Sequence, residues 1–248
     1  MKKGEINVDL IEHMGDDLTV VKAARVSYAN TSDWVGQVHS GEYRQLKDKD
    51  IRLISYLAKH KHTSPFGHGF ATFRVEAPVF VARQLVKHKF LRWNEISRRY
   101  VNKEPEFYEP YWRSKPEHSK QGSGGPMEIS HEADMMFHAT LRNAMTTYDL
   151  MIKEGVAPEQ ARSILPQSMM TSWYWSGSLD AWADMCKLRC AKDTQFETQI
   201  VASVIYGEML KLYPVSWAAL MDDGNWETCV SCGGPAQSDF CGFCLEEE

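Results

Sequence analysis

An alternating run, Gly69-Phe-Ala-Thr-Phe-Arg-Val-Glu76, passes through Ala77-Pro78 into a helix-patterned run beginning at Val79, and this junction constrains the body of the chain more than any other feature. Alternation lets a strand bury one face. Pro78 stands beside the first helical turn, where its missing N–H costs least. Val79, Phe80, Ala82, Leu85 and Val86 supply the buried side of a helix expected to reach about Lys89. On such a helix Gln84 and His88 lie four apart, as do Arg83 and Lys87, so polar groups stack on adjacent stripes near its C-terminal end.

Around that junction the pattern predicts an α+β fold: a mixed sheet with long helices and a small C-terminal appendage. Residues 17–27 read as one helix and Asp48 as the cap of a second reaching His60, with a polar loop, 30–41, between them. Residues 114–131, which contain Gln121-Gly-Ser-Gly-Gly-Pro126, are too rich in Gly and Pro for regular structure and read either as a lid over a ligand or as a surface excursion. Helices are expected from Ser130 to about Glu154, after Pro158, and over 194–212.

Charge is distributed unevenly. From Arg83 to Lys103 there are seven Lys or Arg and His88 against one acid, Glu95, in a chain of formal net charge −5. A cationic patch on an acidic protein points to a small anionic ligand, since general nucleic-acid binding calls for a basic balance over the whole domain. No segment approaches the ~18 consecutive apolar residues of a membrane helix, and the N-terminus lacks the apolar run of a signal peptide. A cytosolic or nuclear setting is expected, the cytoplasm first.

The six cysteines fall into two groups. Cys229-Val-Ser-Cys232 and Cys241-Gly-Phe-Cys244 are two CxxC pairs eight residues apart, the pattern of a tetrahedral Zn2+ site with four thiolates. A pair of disulfides is the competing reading, disfavoured in a reducing compartment. Cys186 and Cys190 share a helix face and read as small buried apolar residues.

The block Lys87-His88-Lys89, four residues, then Asn94-Glu95-Ile-Ser97-Arg98-Arg99-Tyr100 resembles the signature of the flavin-dependent thymidylate synthases, Arg-His-Arg, four residues, Asn-Glu-x-Ser-x-Arg-Tyr. Further similarity runs through Ala23–Ser27, His60–His68, Ala77–Gln84, Ala161–Pro166 and Leu188-Arg189, covering roughly residues 5–215. The resemblance implies a homotetramer with active sites between subunits, and transfer of the methylene of 5,10-methylenetetrahydrofolate to C5 of dUMP, with FAD carrying reducing equivalents from NADPH. It implies nucleotide contacts at Gln84, Lys87, Glu95, Ile96, Ser97, Arg98, Arg99 and Arg162, with Gln84 and Lys87 reaching from a neighbouring subunit. By the same resemblance Arg189 stabilises ionised N3 of the uracil, and His62, Ser64, Lys87, His88, Lys89 and Glu95 contact the flavin. Trp93 and Tyr100 are read as packing groups.

Three departures from the family pattern stand out. Lysine replaces arginine at 87 and 89, which keeps the charge and loses the planar bidentate fork. Ser178, Asp180 and Asp184 occupy positions where some members place Asn, Arg and Asn against the flavin's phosphates, so that wall must be rebuilt. The cysteine tail is the third. The catalytic domain is expected over 1–220 and the zinc-binding tail over 226–248. Glu227, Asp239 and Glu246–Glu248 make the tail acidic, which argues against a nucleic-acid grip. Two alternatives follow: the same scaffold acting on dCMP or giving a 5-hydroxymethyl product, and an inactive core serving as a zinc-dependent nucleic-acid-binding protein. Retention of Gln84, Glu95, Ser97, Arg99, Arg162 and Arg189 together weighs against the second.

Overall fold

The computed structural model describes residues 2–36, 45–100, 104–117 and 121–222, and beyond them only the backbone of two short strands. The chain opens with β1 (Lys2–Gly4), β2 (Asn7–Met14) and α1 (Asp17–Arg25), which runs into a 3-10 turn at Val26–Tyr28. Next come α2 (Asp48–Lys59), a 3-10 segment at Ser64–His68, β3 (Phe70–Pro78), α3 (Val79–Leu85), β4 (Arg92–Glu95) and β5 (Glu106–Tyr108). The second half holds α4 (His131–Lys153), α5 (Pro158–Ala161), β6 (Met170–Ser178), α6 (Leu179–Arg189), α7 (Phe196–Leu212) and α8 (Pro214–Met221). The tail contributes β7 (Glu227–Thr228) and β8 (Pro235–Ala236), paired antiparallel.

A four-stranded antiparallel sheet in the order β2-β3-β6-β4 carries the body, and β1 pairs with β5 in parallel beside it. β3 and β6 pair over their full length, Phe70 opposite Ser178 and Pro78 opposite Met170, and each strand leads directly into a helix. Antiparallel pairing therefore puts the start of α3 beside the start of β6. Val79 N–H donates to Met169 O at 2.9 Å, and Leu179 N–H to Gly69 O at 2.9 Å.

Alternation decides the two faces of the sheet. Phe73, Val75, Trp173 and Trp175 point into the core, where Trp182 meets Phe73 and Trp175 edge-on at centroid distances of 5.1 and 5.0 Å. Trp93, on the edge strand β4, stacks on Trp173 at 4.2 Å. These aromatic contacts add about 0.5–1.5 kcal/mol each to the area they bury. Trp93 is the packing group expected from its sequence, whereas Tyr100 is 77% exposed, with the Arg99 guanidinium 5.4 Å from its ring centroid.

Charged groups buried among the helices fix the connections. Asp17 accepts the N–H groups of Val215 (2.9 Å) and Ser216 (2.7 Å), capping α8 from the far end of the chain; burial pushes its carboxyl up against the pull of those bonds. Asp50, fully buried on α2, accepts from the Arg25 guanidinium and from the Ser32 hydroxyl. Burial alone raises such a carboxyl, yet these two donors outweigh it and hold Asp50 below its ordinary range.

One helix ends earlier than expected, and another is a single turn. α3 ends at Leu85, not near Lys89: Val86 N–H bonds back to Ala82 and His88 N–H to Leu85, turning the chain so that Leu91 can pack beneath Gly177. A Cβ on Gly177 would collide with the Leu91 side chain, so glycine in β6 is what lets the turn lie so close. The helix after Pro158 is one turn, followed by a 3-10 turn at Arg162–Ile164, because Leu165 precedes Pro166 and is driven to extended backbone. Cys186 and Cys190 are buried as expected. Cys229, Cys232, Cys241 and Cys244 lie outside the described residues.

Candidate active site

The early end of α3 reorganises the cationic segment. Gln84 stays on the last helical turn, while Lys87 and Lys89 stand exposed on the turn that follows. His88 faces inward between them, its ring 6.2 Å from that of Trp175. Arg189, the last residue of α6, donates through Nε to His88 Nε2 at 2.9 Å and through Nη2 to the Gln84 carbonyl at 3.3 Å. Because Nε2 must accept, His88 is neutral and carries its proton on Nδ1. Burial, with Arg189 adding repulsion, pushes the His88 pKa down to about 4.

Gln84 and Arg189 line a cleft of about 940 Å³, together with Phe80, Trp112, Arg113, Gln121 and Gln195 among others. The Gly-rich segment forms part of its wall. Ser114 and Gly125 pair through backbone at 2.9 Å, Arg113 Nε donates to Ser123 Oγ at 2.9 Å, and Gly122 adopts φ +76° against the Asp193 backbone. Gln121, Gly122 and Ser123 thus border the cleft.

Glu95, Ile96 and Arg98 line a second cleft of about 830 Å³, floored by the outer face of the sheet at Arg74, Asn94 and Tyr174. Both Glu95 oxygens are engaged: Thr171 Oγ1 donates to one at 2.6 Å and Trp93 Nε1 to the other at 3.2 Å. Glu95 is thus a fixed acceptor on the edge strand. Ser97 Oγ accepts from the Arg99 backbone N–H (3.3 Å) and from its Nε (3.4 Å), turning the Arg99 side chain back along the loop. Arg162, on its 3-10 turn, bonds through Nε to Glu159 O at 3.3 Å.

The remaining expected positions sit on other elements. His62 is exposed in the link from α2 to the following 3-10 segment and Ser64 is exposed at that segment's start; His62 joins Tyr56 and His60 in a ring cluster, at centroid distances of 6.0 and 6.4 Å respectively. Ser178 donates to the Asp180 carboxylate at the start of α6, and partial desolvation raises the Asp184 carboxyl one turn on. Sequence reasoning missed a polar group behind Gln84: Gln195, Glu197 and Thr198, which link to its side-chain amide. Its one signal was the polar set Thr194, Gln195, Glu197 and Thr198, broken by Phe196, at the head of a largely apolar helix.

Comparison with known proteins supplies the context. A family model described as thymidylate synthase complementing protein matches residues 9–215. A flavin-dependent thymidylate synthase of Thermus thermophilus is 38% identical over 213 residues, covering 86% of this chain and 74% of that one. One from Kosmotoga olearia is 33% identical over 225 residues, covering 90% and 92% respectively. The crystal structure of a UMP/dUMP methylase, PolB, from Streptomyces cacaoi bound with 5-Br dUMP superposes with a TM-score of 0.75 at 29% identity, covering 88% of this chain and 96% of that one. A helix-backed antiparallel sheet with an arginine-lined cleft at its edge thus has the architecture of a nucleotide methylase. The chain belongs to the flavin-dependent thymidylate synthase family.

Proposed function

We propose that the chain moves the one-carbon unit of 5,10-methylenetetrahydrofolate to C5 of dUMP and yields dTMP, with FAD passing reducing equivalents from NADPH. The observation that carries this reading is Arg189, fixed on the cleft wall by a neutral His88 and the Gln84 carbonyl. A cation held in advance, beside the place where negative charge develops on a pyrimidine ring, lowers the barrier without reorganising during reaction. Lys87, Arg98, Arg99 and Arg162 are assigned to the nucleotide with Gln84, Glu95, Ile96 and Ser97. Several cations suit a monophosphate, and Glu95 contributes an acceptor whose place is set by Thr171 and Trp93.

FAD, when bound, supplies the hydride chemistry, and the protein supplies position and charge. The donor set fits a flavin. His62, Ser64, Lys87, His88, Lys89 and Glu95 offer donors, acceptors and cations. At the head of α6 Ser178 donates to Asp180 and burial raises the Asp184 carboxyl from its ordinary value; carboxylates there would repel a diphosphate, so this wall is where the set departs from the family pattern.

The expected residues divide between two clefts of one chain: Gln84 and Arg189 line one, Glu95, Ile96 and Arg98 the other. That division supports a homotetramer whose sites are completed by a neighbouring subunit. Exposed Phe90 and Tyr100, 78% and 77% accessible, offer apolar surface beside both groups. For the tail, zinc bound by Cys229, Cys232, Cys241 and Cys244 stays the preferred reading on their spacing.

The test is product identity. Purified protein with FAD, NADPH and methylenetetrahydrofolate is given dUMP, UMP or dCMP, and products are identified by mass. Formation of dTMP from dUMP is expected. UMP is included because the Streptomyces neighbour is a UMP/dUMP methylase. Preferential turnover of dCMP, or a product heavier by one oxygen, overturns the assignment in favour of the altered-substrate or hydroxymethylating alternative. A protein that neither binds FAD nor oxidises NADPH favours the inactive core.

A further inference from the structure

We propose that Gln195 and Glu197 are positioning residues for nucleotide binding: a one-directional hydrogen-bond relay running from Glu197 through Gln195 sets which way the Gln84 amide faces. The proposal rests on the assignment of Gln84 to the nucleotide.

The sense of the relay follows from donor and acceptor chemistry. Glu197, 7% exposed in the first turn of α7, is a carboxylate and only accepts, and the positive end of the helix favours its charge there. Gln195 Nε2 donates to Glu197 Oε2 at 3.0 Å, so the Gln195 amide cannot be reversed without setting its oxygen against the carboxylate. Its oxygen, Oε1, is thereby turned to Gln84 and accepts from Gln84 Nε2. On the other side the fully buried Thr198 donates through Oγ1 to Gln84 Oε1 at 3.4 Å, a contact in keeping with that order. A glutamine amide is nearly symmetric in shape but not in charge, and here one carboxylate selects its orientation through two bonds.

The frame holding the relay is independent of the ligand. Gln199 Nε2 donates to Ala191 O and Thr194 O, both at 2.9 Å, and Thr194 Oγ1 donates to Leu188 O at 2.9 Å, so the link between α6 and α7 is tied down just before Gln195. Gln84, Gln195 and Glu197 all line the cleft that contains Arg189. Gln84 is left with one amide hydrogen and one lone pair of its oxygen for a ligand, in positions the relay has already chosen. No rotamer search or amide flip then opposes binding.

Glu197→Gln keeps the shape and removes the polarity of the relay, because a glutamine at 197 accepts or donates equally well. In FAD-loaded enzyme the Kd for dUMP should rise roughly tenfold, the order expected for one hydrogen bond to a charged group, with the melting temperature and flavin binding unchanged. Gln195→Ala should give a similar rise by breaking the same chain. The decisive readout is coupling. In a Gln84→Ala background neither change should weaken dUMP further, whereas general damage to the cleft weakens it by the same factor in both backgrounds. Parent-like dUMP affinity in both single variants, or full additivity with Gln84→Ala, overturns the relay. If Gln84→Ala alone binds dUMP as the parent does, the assignment of Gln84 falls and the relay with it. Turnover of dUMP by the parent would still uphold the proposed reaction.

Discussion

Arg189 and His88 hold each other through a bond that only one protonation state allows. Arginine offers donors alone, so the imidazole nitrogen facing it must accept, and a second proton on His88 would set donor against donor. With its pKa lowered from the ordinary 6.5 to about 4, His88 contributes stability that is complete above 6.5 and is lost as the pH falls toward 4. Replacing His88 with Asn, an acceptor that does not titrate, should flatten the acid limb of a plot of urea midpoint against pH across that window. A limb unchanged by the substitution would show that His88 is not the group responsible. Arg189→Ala should lower kcat by about 10² to 10³, the range for loss of one preorganised charge-stabilising donor, while FAD absorbance persists; turnover near that of the parent would remove Arg189 from the chemistry. Lys87 and Lys89, exposed on the turn, pose a separate question. Changing both to Arg should leave dTMP as the product and dUMP affinity equal or better, since the charge is restored with more donors. Impaired dUMP turnover in that double variant would mean the lysines are adapted to another substrate.

At the level of elements, buried charge ties helices together that sequence patterns treat separately. Arg25 ends α1 and meets Asp50 on α2, which has no exposed surface, and Ser32 from the intervening loop completes the carboxylate's partners. Arg25→Met keeps the stem and removes the charge, leaving Asp50 with one donor. We expect a loss of about 3 kcal/mol in urea unfolding, and a variant within 1 kcal/mol, about the worth of an exposed pair, would show that Ser32 suffices. The helices themselves were legible: 17–27, 48–60, 130–154 and 194–212 all correspond to observed helices, because apolar periodicity is a local signal, although Asp48, read as the cap of the second, is its first helical residue and Lys47 takes the cap position without a side-chain bond. β2 and β6 were not. β2 is an edge strand with largely exposed side chains, and the alternation of Thr171, Trp173, Trp175 and Gly177 becomes meaningful only when β3 lies alongside. The early stop of α3 was hidden for a similar reason. It depends on Leu91 fitting under Gly177, which lies far along the chain. Chemically distinctive site residues such as His88 and Arg189 stood out by type and order, whereas Gln195, Glu197 and Thr198 have meaning only through a contact with Gln84 that no spacing reveals.

Across the whole molecule, the separation of the expected site into two clefts turns assembly into a functional variable. If Gln84 and Lys87 serve a nucleotide held by Ser97, Arg98 and Arg99 of another copy, each chain carries two halves of different sites. A symmetric oligomer completes every half. Two variants separate this arrangement from a site closed within one chain. Gln84→Ala damages the first cleft and Arg99→Ala the loop beside the second, and each homo-oligomer should have little activity on dUMP. Co-expressed with different affinity tags and purified through both, the mixed oligomers should recover activity. Random assembly of equal amounts pairs an intact first half with an intact second half in roughly one quarter of intersubunit sites. A site formed within one chain gives no intact copy in such mixtures, since every chain bears one defect. Recovery approaching a quarter of parental kcat, with the dUMP KM of the parent, is therefore the outcome expected of a shared site. Mixed oligomers no more active than either variant alone would place all the nucleotide contacts on a single chain. A mixture that never forms, shown by the two tags failing to co-purify while light scattering reports a monomer, would rule out the homotetramer as well.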